Sequence, residues 1–167
     1  MTVQITIPVF SQALRHSLVA LCNGERASIR TAQFCAAAAT RTSHAAYREL
    51  WQSLREAPRR GADCRMLLAQ PTPRNPQSAE SAAAAMDLAL LGWRVRWIKP
   101  GALAHMKLWI FGDDLVIMGS HNLTQSAMIS NHEASIITRD HAAVADTAAW
   151  YEAQWRVATQ RPTIGLA

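Results

Sequence analysis

Two apolar, β-rich runs at residues 106–111 and 115–119 are separated only by Gly112, Asp113 and Asp114. So short a connection between runs of strand length allows one arrangement, an antiparallel hairpin. Around it, strand-like and helix-like stretches alternate. A short β-rich run at 4–7 is closed by Pro8, and Ser11 is placed to cap a helix over 11–21. A strand is expected within 27–35. A helix opens at Ser43, passes through Tyr47, Leu50, Trp51 and Leu54, and stops before Pro58. A strand follows at 64–69. Three prolines within 70–77 make that segment a loop, and its Arg74 and Asn75 read as solvated. An Ala-rich helix then runs from Ser78 to Gly92, and Trp, Arg and Val alternate over 93–98 as a half-buried strand would. A last strand is expected at 134–138, and Asp140 caps a final helix containing Val144, Trp150 and Trp155. Strands alternating with helices imply an α/β fold, a mixed β-sheet with helices on both faces.

The 167 residues fit one domain, 1–167, and half of them are apolar, enough for a core. The net charge of +5 and isoelectric point near 9.7 favour polyanionic partners. Cys22, Cys35 and Cys64 are odd in number and widely spaced, which fits buried free thiols and neither a disulfide framework nor a zinc site. No apolar run reaches the roughly 18 residues of a membrane span, and the N-terminal stretch lacks signal-peptide order. A cytoplasmic chain without membrane insertion is expected. The Trp residues read as core and dimer-interface anchors.

Chemistry concentrates around the hairpin. Alternate residues of a strand share a face, so His105 and Lys107 point the same way. A two-residue turn at Gly112-Asp113 sets His105 opposite Ser120. A three-residue turn over Gly112, Asp113 and Asp114 sets it opposite His121 instead, and both registers are open. A neutral imidazole is a competent nucleophile towards phosphorus, while a lysine ammonium and an asparagine amide hold the non-bridging oxygens. These roles fall to His105, Lys107 and Asn122, with the Ser120 hydroxyl adding a hydrogen bond. The imidazole needs a group on its second nitrogen, for which Glu133 is the best placed. His121 and His132 match no common metal-ligand spacing with Glu133 and read as bystanders.

His105, Lys107, Gly119, Ser120 and Asn122, followed by Asn131 and Glu133, resemble the HxK…GSxN motif and Asn-x-Glu element of the phospholipase D superfamily. The resemblance extends over about residues 27–139. It departs at one place: the family's aspartate five residues after the lysine is Gly112 here, with Asp113 a one-residue slip away. Family enzymes bring two such motifs together, and this chain carries one His-x-Lys. The resemblance therefore implies a short member that pairs two copies about a twofold axis as a homodimer, with both His105 side chains in one cleft. One His105 would form a phosphohistidine, and the other would protonate the leaving oxygen and then activate water. Lys107 and Asn122 would bind the phosphoryl oxygens, Ser120 would support them, and Glu133 would orient His105. No metal or cofactor enters that scheme. A nuclease acting on DNA or RNA is the leading expectation. A non-catalytic nucleic-acid-binding module of the same fold and a phospholipase or phosphatidyltransferase are the alternatives.

Overall fold

In the computed structural model, residues 5–71, 78–99, 101 and 104–160 are described; the loop residues Arg74 and Asn75 lie outside them. Seven strands form one sheet in the order β1-β7-β6-β5-β2-β3-β4. The strands are β1 (Thr6–Phe10), β2 (Ser28–Gln33), β3 (Asp63–Leu68), β4 (Arg94–Trp97), β5 (Lys107–Phe111), β6 (Leu115–Gly119) and β7 (Ala134–Thr138). The helices are α1 (Ala13–Asn23), α2 (Ala45–Glu56), α3 (Ser78–Leu90), α4 (Gln125–Ile129) and α5 (His141–Val157).

The sheet has two wings, because the chain makes two kinds of connection. β2, β3 and β4 are parallel and are linked through α2 and α3, since a parallel pair needs a crossover. β5, β6, β7 and β1 are antiparallel, and β5 meets β2 antiparallel where the wings join. Side chains alternate between two cores. Ile29, Met66, Trp109, Phe111 and Ile117 pack beneath α1, α2 and α3 with Leu18, Leu50, Trp51 and Leu88. Ala32, Leu67, Leu108, Ile110 and Val116 pack beneath α5 with Val144, Tyr151 and Trp155. Helices thus cover both faces of the mixed sheet. All three cysteines are buried free thiols.

Several local expectations shift. Pro8 does not close the first strand but lies within β1, an edge strand, where its missing N–H costs little. Ser11 does not cap α1: the N-cap is Gln12, without a side-chain hydrogen bond, and Ser11 takes a positive φ of 47°. His44 rather than Ser43 caps α2, its Nδ1 accepting from the Ala46 N–H. Asp140 does cap α5, accepting from the Ala143 N–H at 2.8 Å. Of the six Trp residues, Trp150 is partly exposed while Trp51, Trp93, Trp97, Trp109 and Trp155 are core. Among the described residues, α4, five residues long and capped by Thr124, is a helix without a sequence forecast.

The hairpin register is settled by β5 pairing with β6. Phe111 lies opposite Leu115 and Leu108 opposite Met118, so the turn has three residues, Gly112 to Asp114. The same register, continued, sets Lys107 opposite Gly119 and His105 level with His121. Gly112 sits at φ +57°, where a side chain would be strained. Partners from other strands hold the turn. The Gly112 N–H donates to Ser28 O at 2.9 Å. Arg30 donates to the Gly112 carbonyl at 2.6 Å and to Asp113 at 3.0 Å, and Asp114 pairs with Arg26 and Arg139.

Candidate active site

The site begins where β5 does. Lys107 is its first residue and is buried, with Gln33 of β2 opposite it on one side. Its stem occupies the sheet face that carries Trp109 and Phe111. The ammonium emerges at the strand end and lies 3.0 Å from His105 Nε2 and 2.9 Å from the His105 carbonyl. A protonated lysine can only donate. Nε2 therefore accepts, and the proton of a neutral His105 sits on Nδ1. That tautomer keeps Nε2 unprotonated, the form a nucleophile needs once the lysine N–H turns from it to another acceptor. His105 itself is exposed. Burial pulls the Lys107 pKa below the ordinary lysine value, against the opposing influence of Cys35 and Glu133.

Phe34, just past the end of β2, completes this corner. Its ring centroid is 4.7 Å from that of His105, and the Lys107 ammonium stands 5.1 Å from the same ring. Nothing along the chain singles it out as a site residue, because its neighbours are known only once β2 is known to pair with β5.

Ser120 and Glu133 form a second group. The Ser120 hydroxyl donates to a Glu133 carboxylate oxygen, and Asn131 Nδ2 donates to the other at 3.1 Å. The Ser120 N–H donates to Ala134 O at 2.9 Å, and the Ala134 N–H returns a bond to the Ser120 hydroxyl at 3.1 Å. Gly119 makes this approach possible: a Cβ there would lie 2.2 Å from Ser135 Oγ and 2.3 Å from Ala134 O. Asn122 follows, with its Oδ1 buried and unpartnered among the described residues. Leaving such an atom unpaired costs about 1–3 kcal/mol, which favours a functional reason for that side chain. Beyond Asn122 the chain is tied down by Leu123, whose carbonyl accepts from the Ala37 N–H at 2.9 Å. The Tyr47 hydroxyl donates to Ala37 O at 2.6 Å, tying the segment after β2 to α2.

Four of the five expected residues fall into two groups, His105 with Lys107 and Ser120 with Glu133, and Asn122 bonds to neither. One expected contact is not made: within the chain no hydrogen bond joins Glu133 to His105, because the carboxylate is held by Ser120 and Asn131. Asp113 does not replace the aspartate absent at Gly112. The tip lies five residues from Lys107, about 17 Å along a strand at about 3.4 Å per residue, and Asp113 there pairs with Arg30. Nor do His121, His132 and Glu133 form a metal site; among the described residues no three His, Cys, Asp or Glu side chains converge suitably.

A family model described as "Cardiolipin synthase, PLD-like domain" matches residues 25–155. The chain belongs to the phospholipase D superfamily. Among curated proteins none matches the sequence significantly. This phospholipase D-like chain shares its fold with solved structures at low identity. Nuc from Salmonella typhimurium, a phospholipase D family member, superposes with a TM-score of 0.76 at 18% identity, over 93% of this chain and 97% of its own. NucT from Helicobacter pylori gives 0.73 at 16% identity, covering 94% and 99%. Phosphatidylserine synthase from Haemophilus influenzae gives 0.71 at 13% identity, over 98% of this chain but 42% of that one.

Proposed function

We propose that this phospholipase D-like chain is a metal-independent phosphodiesterase that cleaves nucleic acid as a homodimer. The observation that carries the reading is the Lys107 ammonium on His105 Nε2, which leaves the imidazole neutral and its reactive nitrogen next to a cation able to hold a phosphoryl oxygen. His105 Nε2 attacks phosphorus, a P–N bond forms and the P–O bond to the leaving group breaks. His105 of the partner subunit enters the cycle as an imidazolium, its Nε2 protonated rather than accepting from Lys107, and gives that oxygen its proton. The same partner imidazole then takes a proton from water, whose oxygen attacks the phosphohistidine, breaks the P–N bond and frees His105. Lys107 and Asn122 hold the non-bridging oxygens, and Ser120 supports them.

Two observations favour two copies. The chain carries one His-x-Lys, so one copy supplies one of the two imidazoles that the cycle uses. Glu133 does not meet His105 in its own chain, and across a twofold axis it orients the other chain's imidazole instead. The +5 charge and the match over nearly the whole length of Nuc and NucT, chains of about this size, favour the nucleic-acid reading over the lipid one. The family model's description and the synthase neighbour favour a phosphatidyl substrate, so the test includes both. Plasmid DNA, single-stranded DNA, RNA and phospholipid vesicles are incubated with the protein in excess EDTA. Cleavage of a nucleic acid by the wild type, lost in His105→Ala, is the expected result. Headgroup release without nucleic-acid cleavage overturns the substrate assignment. Nucleic-acid binding without turnover of any substrate overturns the catalytic one.

A further inference from the structure

The geometry points to His121, the residue between Ser120 and Asn122, as a positioning residue: a neutral, two-ended strut that sets where Ser120 and Glu133 stand. Its effect on rate rests on the phosphodiesterase reading; the strut itself does not.

His121 is 1% exposed, and both ring nitrogens are engaged, Nδ1 2.7 Å from Ser135 Oγ and Nε2 2.9 Å from the Ser11 carbonyl. A carbonyl only accepts, so Nε2 carries the hydrogen and Nδ1 accepts from the Ser135 hydroxyl. Burial pushes the His121 pKa below the ordinary histidine value, in keeping with a neutral ring.

Both partners of the ring lead to the site. Ser11, a non-glycine residue at φ +47°, holds a conformation that costs a side chain about 1–2 kcal/mol. It turns both backbone groups to use there: its carbonyl accepts from His121, and its N–H donates to the Glu133 carbonyl at 2.8 Å. Ser135 is two residues further along the same segment. Residues 133–135 are therefore fastened at three successive points, Glu133 by Ser11, Ala134 by Ser120 and Ser135 by His121. From that fastened backbone the Glu133 side chain reaches Ser120 and Asn131. Without the imidazole, the buried Ser135 Oγ and the half-buried Ser11 O lose their partner, and the Ser11 turn loses the bond that repays its strain. Glu133 and Ser120 then lose their fixed positions, while Lys107, anchored on β5, and His105, two residues before it, keep theirs. A displacement of about 1 Å at such a site costs about 100-fold in rate.

Proton and nitrogen NMR of the wild type at pH 7 is expected to show His121 as the Nε2–H tautomer; an imidazolium or an Nδ1–H ring overturns the assignment. Kinetics use bis(p-nitrophenyl) phosphate in excess EDTA. His121→Ala is expected to lower kcat by about 30- to 100-fold and to move KM by less than about threefold. The amide of His121→Gln offers a donor to Ser11 O and an acceptor to Ser135, and is expected to recover kcat to within about tenfold of wild type. Unchanged kcat in the Ala variant, or equal losses in Ala and Gln, overturns the proposal. Should His121→Ala not fold, Ser135→Ala removes one end alone and is expected to lower kcat about three- to tenfold, full activity there being the contrary result. Should the wild type hydrolyse no diester, the phosphodiesterase reading fails separately. Amide exchange then decides the strut: in His121→Gln or Ser135→Ala the Ser11 and Ser120 N–H groups are expected to exchange at least about tenfold faster while β2 and β3 are unaltered, and unchanged exchange overturns it.

Discussion

Gly119→Ala is the substitution whose cost can be worked most directly from the structure. The added Cβ would lie 2.2 Å from Ser135 Oγ, 2.3 Å from Ala134 O and 2.5 Å from Ser135 Cα. Two of those three atoms are backbone, so no rotamer change relieves them. Carbon contacts are comfortable at about 3.5–4.0 Å, so β6 and β7 must part by about 1 Å at this point. Overpacking of this kind costs about 1–3 kcal/mol. The same movement stretches the reciprocal Ser120–Ala134 bonds, now 2.9 and 3.1 Å, past useful length, at about 1 kcal/mol each. The expected loss is about 3–5 kcal/mol, which at about 2–4 °C per kcal/mol for a chain of this size lowers Tm by roughly 6–20 °C. Thermal melting followed by circular dichroism reads it, and hydrolysis of the chromogenic diester at a temperature where the variant is still folded reads the displacement of Ser120. A variant that melts within about 2 °C of wild type and keeps its kcat would refute the close approach of β6 to β7.

Three other expectations follow from the same geometry. Gly112→Asp, which restores the family's usual residue, leaves kcat unchanged, because the hairpin tip is remote from His105; a change of tenfold or more would place the tip in the site. Because burial lowers the Lys107 pKa, its ammonium is lost at a lower pH than an ordinary lysine's as pH rises, so the alkaline limb of kcat/KM falls early and the Lys107→Arg variant moves it upward; a pH–rate profile with no difference between the two removes Lys107 from that limb. Light scattering at assay concentrations gives twice the chain mass if the site is shared, and a monomer that turns over substrate would sink the two-histidine cycle.

Much of this protein is legible in order along the chain. β6 and β7 have the expected bounds, and the remaining strands shift by a few residues at their ends, because alternation and turn residues are local properties. Helix beginnings were less legible. Ser11 has the composition of a cap, yet its backbone is claimed by Glu133 and His121 from far along the chain. α4 escaped notice because five residues are too few to show a helical period.

The sequence by itself determined the hairpin, the shared face of His105 and Lys107, and the family motif, since these rest on spacing within a few residues. The tertiary structure decided the register and with it the meaning of every departure from the motif. Arg30 and Ser28, on a strand more than eighty residues before the turn, hold its three residues in place, and this fixes which residues stand opposite Lys107. It also carries Gly112 and Asp113 away from the chemistry, turns His121 from a bystander into a buried link, and directs Glu133 to Ser120 rather than to its own chain's imidazole. The physical reason is the same in each case: a hydrogen bond between strands depends on which partner the fold delivers, and no spacing along the chain encodes that partner.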